Sequence, residues 1–216
     1  MTSIPSISLL PPDEPRPSRS TMPTNRAVRW RSPEEEEGSE PIISIFVSQQ
    51  AYVRFCAHAG SDLDNEVGGW LVGRWREDRK LGKQFIVVEN VLHAPYTRQG
   101  SAFLTFTQDS QVALYEELGE RFPGKDLVGW YHTHPRMGVF LSEYDTWLHL
   151  NFFPEHYQVA LVIEPHAAIG GFFVRQPDGE LDPRRYYGFY ELYYRKRRSV
   201  VHWHNILPEA EVISGG

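Results

Sequence analysis

The chain of 216 residues has a single cysteine, Cys56. That excludes an internal disulfide framework and any cysteine-based zinc cluster, and makes a reducing compartment the default. Long apolar runs are also missing. None approaches the ~18 residues of a membrane-spanning helix, and the opening MTSIPSISLLPPDEP lacks the basic start and apolar length of a secretory signal. Basic charge is in short supply, with 22 Lys and Arg against 28 Asp and Glu and a net charge of −6. This balance argues against nucleic acid or an anionic membrane as the main partner. No internal repeat at a solenoid period is visible. The expectation is a soluble, cytoplasmic protein. Its 41% apolar residues suffice for one buried core, which at this length means one domain with tails.

Residues 1–40 differ from the rest. LLPPDEPRPSRSTMPT is rich in Pro and Ser, and SPEEEEGSE is an acidic run with little to bury. Such composition does not offset the entropy of ordering, so the reading is a disordered leader over 1–40, a globular domain over 41–205 and a flexible tail over 206–216. Within the domain, IISIFV reads as a strand, and SQQAYVRFCAHAG as an amphipathic helix capped by Ser48 and stopped by Gly60. EVGGWLVGRWRE, QFIVVENVLHAP and SAFLTFT have strand character, and DSQVALYEELGERF that of a second helix. DLVGWYHTH is a mostly apolar strand of the kind buried on both faces. SEYDTWLHLNFF is a third helix, stopped before Pro154. QVALVIEP and GGFFVRQ form a strand pair, and the tyrosine-rich RRYYGFYELYY adds an edge strand. The order implies an α/β (α+β) architecture, a curved mixed sheet flanked by helices.

The chemistry concentrates in HTHPRMGVFLSEYD. Residues i and i+2 of a strand share a face, so His132 and His134 project together and Thr133 turns away. Pro135 ends the strand and leaves the pair at its rim. Two imidazoles side by side suit zinc, and a carboxylate would add a third ligand with a fourth position open, as in catalytic sites. Ser142 and Asp145 follow, but S-x-x-D ahead of an apolar run is also a helix-capping pattern, and spacing alone does not choose. H-x-H alone is weak too, since HWH recurs at His202 to His204. Glu66, opening EVGGWLVG, is either exposed at a strand start or aimed into a cleft as a base for an attacking water.

Taken together, Glu66 with EVGGWLVG, then H-x-H-P, a serine seven residues on and S-x-x-D resemble the JAMM (MPN-plus, or JAB-domain) metalloprotease family. The resemblance covers roughly Ile42 to Val174. Thr133 stands where the family often has serine. The resemblance implies a cytidine-deaminase-like MPN fold and one bound Zn²⁺, held by His132, His134 and Asp145. It also implies Glu66 as general acid/base, and Ser142 as a hydrogen-bond donor to the developing oxyanion. The implied activity is hydrolysis of the isopeptide or peptide bond after the C-terminal glycine of ubiquitin or a ubiquitin-like modifier. The compact core resembles a prokaryotic member, working beside ubiquitin-like conjugation enzymes. HAPYTRQGSAFLTFT, with Phe103 and Thr105, and RMGVFLS, with Met137, Val139 and Phe140, would form the two walls of the substrate channel; packing of both stretches on the domain's own core is the alternative. Two other readings stay open: a peptidase maturing a sulfur-carrier-like protein, and a metal-free MPN scaffold.

Other features draw a plainer reading. His149, one helical turn after Asp145, is assigned to packing or solvent, and Cys56 to a small buried hydrophobe. His93, His156 and His166 show no spacing that ties them to the site. The basic cluster YRKRRS reads as a solvated face, and the terminal Gly215-Gly216 as a frayed end, though its likeness to a modifier tail leaves a visit to the site open.

Overall fold

The computed structural model describes residues 15–35, 41–94, 108–193 and 198–209. Its strands are β1 (Ser18–Arg19), β2 (Ala27–Arg31), β3 (Ser44–Ser48), β4 (Gly68–Asp78), β5 (Lys83–His93), β6 (Asp126–Thr133), β7 (Val159–Glu164), β8 (Ile169–Phe173), β9 (Phe189–Leu192) and β10 (Leu207–Pro208). Three helices accompany them: α1 (Gln49–Ala59), α2 (Gln108–Arg121) and α3 (Glu143–Phe152). The strands form one mixed sheet in the order β10-β2-β9-β3-β5-β4-β6-β7-β8, and β1 pairs with the far end of β4. The α+β architecture expected from the sequence is present. No helix among the described residues is long and apolar enough to cross a membrane.

The sheet is covered on both faces, because its central strands carry apolar side chains on both. One core joins Val47, Tyr52, Phe55, Leu71, Val88, Tyr131 and Leu161 under α1. The other joins Trp70, Val72, Leu118, Trp130, Leu148 and Val162 under α2 and α3. Burial of this kind contributes roughly 1.5–3 kcal/mol per large apolar side chain. Helix α1 starts where read: Ser48 accepts the Ala51 N–H at 3.1 Å, and Gly60 follows its last turn. Cys56 lies partly buried against the first core, and burial pushes its thiol up to about 12.

Two features decide where the H-x-H pair ends up. Strand β6 is parallel to β7, with α3 as the crossover between them. Such a connection returns the helix across one face of the sheet, so the N-terminus of α3 falls beside the C-terminal end of β6. The second feature is a bulge. The β4–β6 register runs Leu71↔Gly129 and then Val72↔Leu127, leaving Val128 as the extra residue. Leu127 and Trp130, three apart, therefore face the same core, and His132 follows on that face. Gly129 has φ 154, and a Cβ there would lie 2.1 Å from the Val159 carbonyl oxygen, so only glycine fits.

The expected disordered leader needs correction for residues 15–35. Ala27–Trp30 pairs antiparallel with Leu192–Phe189, and β1 pairs in parallel with Arg76 and Glu77. Met22 packs on Phe46 and Phe85, while its N–H donates to Asp78 at 2.8 Å. Glu35 is held by Arg29 and accepts N–H bonds from Ser32 at 3.1 Å and Gly188 at 2.7 Å. The low apolar content is offset by sheet hydrogen bonds and buried ion pairs, which composition does not register. As a result the tyrosine-rich segment is not an edge: β9 lies between β2 and β3. Leu207 and Pro208, assigned to the flexible tail, instead pair with Arg31 and Trp30. Residues 1–14, 36–40 and 210–216, with Gly215-Gly216, lie outside the described residues.

Candidate metal centre

His132, His134 and Asp145 are buried together, and one ligand atom from each lies within 4.8 Å of the others. The two Nε2 atoms are 2.9 Å apart. His132 Nε2 lies 3.4 Å from Asp145 Oδ1, and His134 Nε2 lies 3.6 Å from Asp145 Oδ2. Four ligands at about 2.0–2.1 Å around a tetrahedral ion stand about 3.3 Å from one another. The three separations bracket that spacing, so the donor set fits one zinc ion with a fourth position free. Burial opposes a charge on Asp145, but hydrogen bonds from His132, His134 and Ser142 outweigh it and hold the carboxyl well below the carboxylate range. Burial pushes His132 below its ordinary value, keeping it in the neutral form that ligates metal.

Each of the three side chains has visible support. The Trp130 indole stacks on the His132 ring with centroids 4.7 Å apart and planes 9° apart. Its Nε1–H donates to His149 Nδ1 at 3.1 Å, and His149 is fully buried, which decides its role as packing. His134 carries the Phe140 ring at 4.7 Å, and its N–H donates to the Ile163 carbonyl at 2.9 Å. Asp145 is fixed by the start of α3: Ser142 Oγ accepts the Asp145 N–H at 3.1 Å, and the Ser142 N–H donates to Asp145 Oδ2 at 2.8 Å. That is a reciprocal capping box. The Ser142 hydroxyl in turn donates to Asp145 Oδ2 at 2.6 Å. The cap read from S-x-x-D is present, and the same arrangement places the Asp145 carboxylate beside the two histidines.

Glu66 is brought to the same place by strand register. Gly68 sits opposite His132. One step further out, the Thr133 N–H donates to the Val67 carbonyl at 2.9 Å, and the Val67 N–H donates to Thr133 Oγ1 at 2.9 Å. Continuing the pairing sets Glu66 across from His134, on the face it shares with Gly68. Burial raises the Glu66 carboxyl above its ordinary value, with His134 pulling it down and Asp145 pushing it up. A half-buried carboxyl with a raised pKa beside such a cluster is a candidate for proton transfer.

Val139 and Phe140 line a cleft of about 750 Å³ with Leu141, Glu143, Thr146, Pro183 and Arg184. Met137 is 47% exposed on the same turn. Phe103 and Thr105 lie outside the described residues. His156 stays apart from the centre, bonding Gln84 at 2.8 Å. His93 stacks on His58 at 3.9 Å beneath α1, on the sheet's other face. The roles of Trp130 and His149 were open to sequence reasoning, since they precede His132 by two and follow Asp145 by four. The partners of Thr133, Glu164 and His166 are fixed by chain crossings and carry no local signal.

Fold and cluster together define an α+β protein built around a βαβ crossover, in which His132, His134 and Asp145 could hold a metal ion. Residues 41–156 match the family described as JAB1/Mov34/MPN/PAD-1 ubiquitin protease. The match covers more than half of the chain, which therefore belongs to that family. Among curated relatives, the chain is similar to the ubiquitin carboxyl-terminal hydrolase RPN11 of Saccharomyces cerevisiae, 24% identical over 59% of this chain and 40% of that protein. It is also similar to the COP9 signalosome complex subunit 5 of Kluyveromyces lactis, 28% identical over 58% of this chain and 32% of that protein. A further match is the NAD(+) hydrolase TcpA of a Theionarchaea archaeon, 41% identical over 30% of this chain and 20% of that protein. The chain thus spans less than half the length of each of these relatives.

Proposed function

We infer that this protein is a zinc-dependent peptidase that hydrolyses the bond after the C-terminal glycine of ubiquitin or a ubiquitin-like modifier. The observation that carries the reading is the convergence of His132, His134 and Asp145 with Glu66 opposite, in a chain of this family. Zinc at such a centre supplies Lewis-acid chemistry, polarising a carbonyl and making water acidic enough to attack near neutrality. Glu66 takes the proton from the attacking water and returns it to the departing amine. The raised pKa of its carboxyl serves both halves of that cycle. Ser142 steadies Asp145 at rest and, by turning its hydroxyl towards the cleft, donates to the developing oxyanion. Met137, Val139 and Phe140 form the apolar wall along which the modifier's tail lies; Phe103 and Thr105 are assigned to the opposite wall. The protein works in the cytoplasm, beside modifier-conjugating enzymes.

The test combines metal analysis with cleavage of fusions carrying a branched lysine linkage or a linear extension after Gly-Gly. The expected result is about one zinc per chain and cleavage by the loaded protein. His134→Ala loses zinc and activity together, and Glu66→Gln keeps zinc and loses activity. Cleavage of the linear extension alone favours maturation of a sulfur-carrier-like protein. A purified protein without zinc, whose cleavage is unchanged by Glu66→Gln, overturns the enzyme reading and leaves the scaffold.

A further inference from the structure

The centre is assembled from two separate pieces of chain. The turn after His134 carries the metal-ligand arm, and the loop before Val67 carries Glu66. Both meet a third segment, the tight turn between β7 and β8. Glu164 ends β7 and is 4% exposed. Its carboxylate accepts three backbone N–H bonds: from Arg136 at 3.1 Å, from His166 at 2.8 Å and from Ala167 at 2.8 Å. Arg136 has φ 62, a left-handed conformation that costs a non-glycine residue about 1 kcal/mol or more unless its surroundings hold it. The bond to Glu164 is one such hold, two residues beyond a ligand.

The same turn reaches the other arm. His166 Nε2 lies 2.8 Å from the Leu63 carbonyl oxygen, so this nitrogen carries the proton and donates. Leu63 sits three residues before Glu66 in a loop organised internally by Asp62, which accepts the Asp64 and Asn65 N–H bonds at 3.0 and 2.9 Å. Arg136 also reaches Asp64 at 3.4 Å, but both side chains are largely exposed, and such a pair is worth little. The loop is thus pinned at Val67 by Thr133 and at Leu63 by His166, with Glu66 between the two pins.

We propose that the β7–β8 turn is a clamp setting the base-bearing loop against the ligand-bearing turn, with Glu164 and His166 as positioning residues of the hydrolytic site. This rests on the peptidase reading for its kinetic consequence and on the geometry alone for its structural one. His166 is exposed and contacts the loop through one hydrogen bond, so replacing it perturbs position more than folding.

The experiment compares the zinc-loaded protein with His166→Ala and His166→Gln. In His166→Ala, amide exchange over residues 61–67 speeds up while that of β6 and the zinc content stay as they were. The kcat falls by about 3- to 10-fold, the worth of one net hydrogen bond, with KM unchanged. In His166→Gln the side-chain amide again donates to Leu63, and both exchange and kcat recover most of the loss. Glu164→Gln, which keeps one acceptor oxygen for Arg136 and His166 and turns an amide NH2 towards Ala167, speeds exchange at Ala167. Unchanged exchange over 61–67 in His166→Ala overturns the clamp whatever the activity. So does a change confined to KM, or a failure of Gln to rescue. A wild-type protein that cleaves nothing, yet shows the expected exchange pattern, leaves the clamp standing and removes the peptidase reading instead.

Discussion

Replacing Thr133 with valine tests how the two arms are joined. Valine matches threonine in shape, so packing at this fully buried position is preserved. What is lost is the acceptor for the Val67 N–H, now at 2.9 Å. The reciprocal bond from the Thr133 N–H to the Val67 carbonyl remains. Leaving a buried donor unpaired costs about 1–3 kcal/mol. Val67 is only partly buried, which places the expectation in the lower half, about 1–2 kcal/mol. For a chain of this size that corresponds to a fall in Tm of about 2–8 °C. Metal content is expected to be unaffected, because Thr133 points away from His132, His134 and Asp145. Activity drops further than stability, since the residue next to Glu66 loses a tether. Thermal unfolding with and without a chelator, zinc analysis and single-turnover cleavage read these separately. Thr133→Ser, which keeps the acceptor, retains activity despite the lost methyl group. A valine variant as stable and active as the parent refutes the argument that this hydroxyl holds the segment carrying Glu66 in register.

Acid lability follows from the buried histidines. Burial, with Arg175 nearby, lowers His149 to about 3, and burial with His93 lowers half-buried His58 to about 4. The unfolded chain titrates these groups near 6.5 and so binds more protons below that pH. Their stabilising effect is complete above pH 6.5 and is lost as the pH falls towards 3. The His149 share is about 1.4 kcal/mol per pH unit across that window. Urea midpoints at pH 7, 5.5 and 4.5 measure it; an unchanged slope in His149→Asn, which keeps an acceptor for Trp130, contradicts the assignment. Deleting residues 1–35 removes β2 and bares the β9 edge, so a drop in solubility and a fall in stability of several kcal/mol are expected, and a truncated protein with unchanged urea midpoint counts against a structural role. Ser142→Ala costs about 1 kcal/mol as a lost cap and about 10²-fold in turnover if the hydroxyl serves the oxyanion; stability and rate measured together separate the two roles.

Much of the centre was legible because its signals are local. The i, i+2 pairing of His132 and His134, the stop at Pro135 and the cap at Ser142 each depend on a few neighbouring residues and appear in the structure as read. Residues 15–35 were misread as part of a disordered leader for the opposite reason. Residues 27–31 gain their structure from strands 160 residues away, and their own composition reflects none of that pairing. The same holds for β9, which looks like an edge until β2 covers it.

By itself, then, the sequence determined which faces of their local elements the candidate residues share, since that follows from backbone periodicity. Tertiary structure decided that the two faces coincide. The bulge at Val128 turns the histidines towards α3, the β6–α3–β7 crossover delivers Asp145 to them, and strand pairing sets Glu66 opposite. These depend on hydrogen bonds between residues far apart in the chain, whose geometry exists only once the sheet has closed.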